Sequence, residues 1–233
     1  MIRASRRLGS GRVRAGWLLG LVAALTTACE QAPDTTFVFE RSPEETVALL
    51  IDHVSEQRFE EVLSVVVEDQ HALLTVAEEP DPAIVAAMLQ RGEESAAANF
   101  WSAFLEELAR PPTDLRIVRA TPVTVAGVDF MVVDLEFPGE QVLRPIVLRR
   151  VPGTTWEVDL IASFAPAVAR RLATSIESLA VSEEPEAIEV LAGWKEQRAS
   201  LMAAVVIKPI PGAFDEPLSR LADALARVTT TVP

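Results

Sequence analysis

Residues 115–161 read LRIVRATPVTVAGVDFMVVDLEFPGEQVLRPIVLRRVPGTTWEVDLI, and this stretch decides the fold. Leu115–Val125 is rich in Val, Ile and Thr, and Ala126-Gly127 supplies a tight turn into Val128–Phe137. In that second run Met131, Val133, Leu135 and Phe137 share one face, and Phe130, Val132, Asp134 and Glu136 share the other. Pro138-Gly139 turns the chain into Val142–Arg150, where Pro145 predicts an edge or a bulge. Pro152-Gly153-Thr154 leads to a last run, Trp156–Ile161. Turns this short demand antiparallel neighbours, because parallel ones need a crossover of about a dozen residues. The stretch therefore predicts a four-stranded antiparallel meander.

Upstream the period changes to that of helices. Ser42, Pro43 and Glu45 form a capping box with proline at the first helical position. Val47, Leu50, Ile51 and Val54 follow at helical spacing. The pattern continues through Phe59, Val62, Leu63 and Val66 to Leu73 and Leu74. Pro80-Asp81-Pro82 breaks it and opens a long helix to about Ala109, with Gly92 weakening its middle and Arg110-Pro111-Pro112 stopping it. Downstream, Val168, Leu172, Ile176 and Leu179 mark one amphipathic helix, and Ser182-Glu183-Glu184-Pro185 starts another. Lys208–Gly212 is a breaker, and Asp215-Glu216-Pro217 starts a last helix. The expected class is α+β: N-terminal helices, a curved four-stranded antiparallel sheet, and a C-terminal helical extension.

The charge is uneven. Residues 1–28 hold five arginines and no acid, which leaves 16 basic against 34 acidic side chains beyond them, a net of −18. A basic head, the apolar run Ala15–Leu25 and then small residues form the layout of a secretory signal peptide. Ala15–Ala28 gives 14 uncharged residues, short of the roughly 20 that a membrane-crossing helix needs. Leu25-Thr26-Thr27-Ala28-Cys29 resembles the lipobox of bacterial lipoproteins, with Thr26 where the pattern prefers a branched aliphatic residue. The resemblance implies acylation of Cys29, the only cysteine in the chain, and stable attachment to a membrane surface. The expected organisation is a signal peptide over 1–28, a tether over 29–41, an α+β domain over 42–163 and the helical extension over 164–233.

Helices first and a curved sheet after, ending in Gly153-x-x-Trp156-x-Val158-Asp159, resemble the NTF2-like, cone-shaped α+β fold and its lipoprotein branch of small exported domains. The same element order also fits a cystatin-like or another layered arrangement. The NTF2-like resemblance implies a pocket between the concave sheet face and the helices, where family enzymes such as the steroid isomerases place an Asp.

Few catalytic groups are on offer. A single cysteine and two histidines exclude a disulfide framework and all but exclude a Cys/His zinc site. His53 sits a hundred degrees from the apolar stripe, and His71 follows Glu68, Asp69 and Gln70, so both read as solvated or boundary residues. The strand carboxylates Asp129, Asp134 and Asp159 are the remaining candidates, because apolar walls raise a carboxyl's pKa toward neutrality. Asp129 lies beside a turn, Glu136 flanks Asp134, and Glu157 alternates with Asp159, which points all three toward solvent. Tyrosine, the isomerases' oxyanion donor, is absent. There is no nucleophile elbow and no phosphate-cradling glycine loop, and nothing calls for a metal or cofactor. The formal charge of −13 argues against nucleic acid. Phe100, Trp101, Phe104, Phe130, Val132 and Trp156 are the expected lining of an apolar pocket. The expected function is non-catalytic binding of an apolar small molecule or an envelope protein, by an exported protein held at a membrane through its lipid. Two alternatives stand beside it: a small isomerase or hydratase with Asp134 or Asp159 as base, and an assembly adaptor acting through the C-terminal helices.

Overall fold

The N-terminal capping box forms as read. In a computed structural model, Ser42 Oγ accepts from the Glu45 N–H at 3.2 Å and the Glu45 carboxylate accepts from the Ser42 N–H at 2.7 Å. Together they satisfy two orphan donors at the start of α1, Pro43–Ser55. The structure describes residues 41–151, 155–207, 219–221, 223, 224 and 226, all within one compact unit. The signal peptide, Cys29, the tether up to residue 40, the breaker Lys208–Gly212 and the expected helix start at Asp215–Pro217 lie outside the described residues.

α1 buries Val47, Leu50 and Val54. The helical pattern expected beyond it is cut short. Helix α2, Phe59–Val62, and a 3-10 turn over Leu63–Val65 give way to extended backbone at Val66, which bridges Val158 in parallel. The three consecutive valines 65–67 favour this extended course. Helix α3 follows at Gln70–Thr75. The long helix expected to Ala109 is two: α4, Pro82–Arg91, capped by Asp81, and α5, Glu94–Glu107. Gly92 separates them at φ +96° and ψ 158°, a backbone region essentially reserved for glycine.

The meander is present with strand order β1-β2-β3-β4 and every pairing antiparallel: β1 Arg116–Val125, β2 Val128–Glu136, β3 Arg144–Arg150 and β4 Trp156–Val158. Ala126 and Gly127, both at positive φ, make the two-residue hairpin that matches strand twist. Pro145 pairs with Asp134 on β2, and β4 reaches β3 only from Leu148 onward, so the proline's missing N–H faces no third strand.

The last run differs from expectation. β4 ends at Val158, and Asp159 is the N-cap of a 20-residue helix, α6, Leu160–Leu179. Its carboxylate accepts from the Ala162 N–H at 2.9 Å, and that local bond turns an alternating pattern into a helix start. Helices α7, Pro185–Glu196, and α8, Arg198–Val206, follow, and the described residues 219–221, 223, 224 and 226 are helical as well.

One sheet face packs on the main core and α8 covers part of the other, which fixes where a site can form. Val133, Leu135, Ile146, Leu148 and Val158 join the main core with α1, α5, α6 and α7. Phe130, Val125 and Val147 point the other way and pack with Ala203 of α8. α6 runs through residue 163, and Leu172, Ile176, Trp194 and Leu201 belong to the same main cluster as Val47 and Trp101. Burying each such side chain contributes roughly 1.5–3 kcal/mol, so helices before and after the sheet stabilise a shared core.

Candidate functional site

A cavity of about 290 Å³ opens on the main-core face of the sheet. Leu50, Ile51 and Val54 of α1 form one wall, and Trp101 and Phe104 of α5 form a second. The first turns of α6 supply Ser163, Phe164, Pro166 and Ala167, while Leu135 and Ile146 form the sheet side. Val142, Leu143, Arg144 and Pro145, at the β2–β3 connection and the start of β3, complete the lining with Pro112 and Leu115.

Aromatic rings stiffen the wall. Trp101 meets Phe104 at 5.4 Å and Phe164 at 6.1 Å between centroids, edge to face, the favoured aromatic arrangement. Phe100 stands behind Trp101 at 5.0 Å and does not line the cavity. The indole is fixed by polar contacts as well: its Nε1–H donates to His71 Nε2 at 2.9 Å. Because an indole only donates, Nε2 accepts and the imidazole proton sits on Nδ1, donating to Glu93 at 3.0 Å. The same Glu93 oxygen accepts from the backbone N–H of His71 at 2.7 Å and of Ala72 at 3.3 Å. A chain of hydrogen bonds thus runs from the start of α3 through Glu93 and His71 to a ring in the cavity wall. Both His71 nitrogens are engaged, so this imidazole has no lone pair to offer a substrate.

Both histidines are buried rather than solvated. His53 lies against the α1–α2 junction with Nδ1 3.3 Å from Glu61. His71 follows an acidic run, but the helical period carries it onto the face of Leu74, a signal present in the sequence.

The carboxylates lie elsewhere. Asp134, expected to face solvent, is buried on the opposite sheet face, where Arg119 donates to it from Nε at 2.9 Å and from a terminal nitrogen at 2.5 Å. Asp129 accepts from Thr124 at 2.9 Å near the hairpin turn. Asp159, expected to face solvent, is fully buried. It caps α6, accepts from Ser200 Oγ at 2.5 Å and accepts from Gln70 Nε2 at 3.1 Å. Gln70 Oε1 in turn accepts from the Leu160 N–H at 2.6 Å, and Gln197 Oε1 accepts from Gln70 at 3.0 Å and Arg149 at 3.2 Å. Burial raises the Asp159 pKa; hydrogen bonds from Ala162, Ser200 and Gln70 and the Arg149 charge oppose the rise. This network ties α3, β3, α6 and α8 together and does not line the cavity.

Of the six expected pocket residues, Trp101 and Phe104 line the cavity. Phe130 packs on the opposite face, Val132 alternates onto that face with it, and Trp156 packs against the main core away from the cavity. Two polar side chains do line it. Ser163 Oγ is fully engaged, donating to the Asp159 carbonyl at 2.7 Å and accepting from the Val147 N–H at 2.9 Å. Arg144 stands at the mouth. Among the described residues, no group of three His, Cys, Asp or Glu residues could hold a metal ion, and no helix is long and apolar enough to cross a membrane.

No protein-family model, curated protein or solved structure matches this chain. What the site can do follows from its geometry: enclose an apolar group between rigid aromatic walls.

Proposed function

We propose that this chain is an exported lipoprotein of the cell envelope, acylated at Cys29, whose NTF2-like domain binds an apolar small molecule without transforming it. The observation that carries the binding reading is the cavity, with walls of Leu, Ile, Val, Phe, Trp, Pro and Ala, one serine already engaged and Arg144 among its lining. A pocket of this composition favours apolar surface over water. The reading without chemistry is supported by the positions of the proton-transfer candidates: His71 is capped at both nitrogens, and neither Asp134 nor Asp159 lines the cavity. The basic head, apolar run and single cysteine support export and anchoring. A strongly acidic remainder keeps such a domain soluble and repels an anionic membrane surface.

Two experiments test the proposal. Native mass spectrometry of the full chain is expected to retain an apolar ligand. In Ala167→Trp, where a bulky ring enters the mouth from an exposed helical position, that adduct is lost while the melting temperature holds. Failure of the unmodified chain to retain any apolar molecule contradicts the binding reading. For the anchor, Cys29→Ser is expected to move the protein from the membrane to the soluble fraction, and unchanged partitioning overturns it.

A further inference from the structure

Resting on the binding reading above, we infer that the ligand is a single-chain carboxylate of about eight to ten carbons, its chain in the cavity and its head on Arg144. Size sets the first part. A cavity of about 290 Å³ is on the scale of one medium-length chain, with a water-sized unit taking roughly 30 Å³.

Charge sets the second part. Ser163 is already engaged, which leaves Arg144 as the polar side chain at the cavity able to orient a head group. Its side chain is 46% exposed, with the guanidinium carbon 5.2 Å above the Phe137 ring, so one planar surface is stacked while the N–H edge is left to donate. The Glu140 carboxylate approaches only to 3.7 Å, beyond hydrogen-bond length, and is displaceable by a better-placed anion. A guanidinium fork matches a carboxylate in a bidentate pair. One cation balances the single charge of a carboxylate and only part of that of a phosphate monoester. Val142 and Leu143, 62% and 39% exposed beside the arginine, cover the methylenes next to the head. The acidic chain as a whole does not attract anions, so the preference depends on this one residue.

The test is calorimetric titration of the full chain with decanoate, decanol and decylammonium at low salt. Decanoate is expected to bind about fivefold tighter than decanol, the upper range for a partly exposed ion pair. In Arg144→Ala that ratio is expected to fall to about one, and in Arg144→Glu decylammonium is expected to become the best ligand, with thermal melts checking that both variants fold. If decanoate does not exceed decanol, or if the preference survives in Arg144→Ala, the head-group assignment falls while the cavity reading stands. If none of the three binds, the cavity reading falls as well.

Discussion

Asp159 offers a test of how the C-terminal helices are joined to the sheet. Replacing it by Ala removes the α6 cap, worth about 0.5–2 kcal/mol, leaves the buried Ser200 hydroxyl only the longer bond to Gln197 Oε1 at 3.4 Å, and takes an acceptor from a Gln70 N–H, at up to about 1–3 kcal/mol each. The expected loss is about 2.5–8 kcal/mol, a large part of the 5–15 kcal/mol typical of a folded domain. Asp159→Asn keeps an acceptor for Ala162 and Gln70 and lets Ser200 accept from the new amide, so it is expected to cost about 1 kcal/mol near neutrality. The pH dependence separates the two forms further. Burial raises the folded-state pKa of Asp159 above its ordinary value of 3.8, so between those two values the folded chain holds more protons than the unfolded one. This group's contribution to stability is therefore full below 3.8 and declines as pH rises through the folded-state pKa, by at most about 1.4 kcal/mol per unit. Asn cannot titrate, so the stability deficit of Asp159→Asn is expected to shrink as pH rises from 4 to 7.5. Asp69 and Glu157, whose pKa values burial also raises, cancel in the comparison. Urea unfolding of both proteins across that range, followed by tryptophan fluorescence, measures it. Parallel stability curves for the two would refute the burial argument.

Three further outcomes follow from named contacts. Trp101→Phe leaves His71 Nε2 buried without its donor and is expected to cost about 2–4 kcal/mol in chemical denaturation. Gly92→Ala meets nothing within 4 Å of the added Cβ, so its expected cost of about 1–3 kcal/mol is backbone strain alone, read as a lowered urea midpoint with unchanged slope. Trp194 Nε1 is buried without a hydrogen-bond partner, so Trp194→Phe is expected to be milder than Trp101→Phe when the two are melted side by side.

The parts of the fold legible in the sequence are those written in local chemistry. Ser42-Pro43-x-Glu45 specifies a helix start by itself, and Ala126-Gly127 specifies a hairpin, so α1 and the meander were readable. The β4–α6 junction was not. Trp156-Glu157-Val158-Asp159-Leu160-Ile161 alternates like a strand, and only the bond from the Ala162 N–H to Asp159, together with burial of both Leu160 and Ile161, turns it into a helix. The candidate site was half legible for a related reason. Trp101 and Phe104 could be picked from the stripe of α5, but α8 covers part of the second sheet face. Alternation in β2 therefore shows two apolar sides and does not say which one the cavity adjoins. Phe130 and Val132 were assigned to the wrong side on that account, while Leu135, Ile146 and the α1 wall looked like ordinary core.

The most direct test of the apolar cavity is methyl-resolved NMR of the full chain, labelled at Ile, Leu and Val, during titration with decanol. The cavity predicts progressive shifts at Leu50, Ile51, Val54, Leu135 and Ile146, with Val125 and Val147 on the opposite sheet face unmoved. Unchanged spectra, or shifts of equal size at Val125 and Val147, would contradict it.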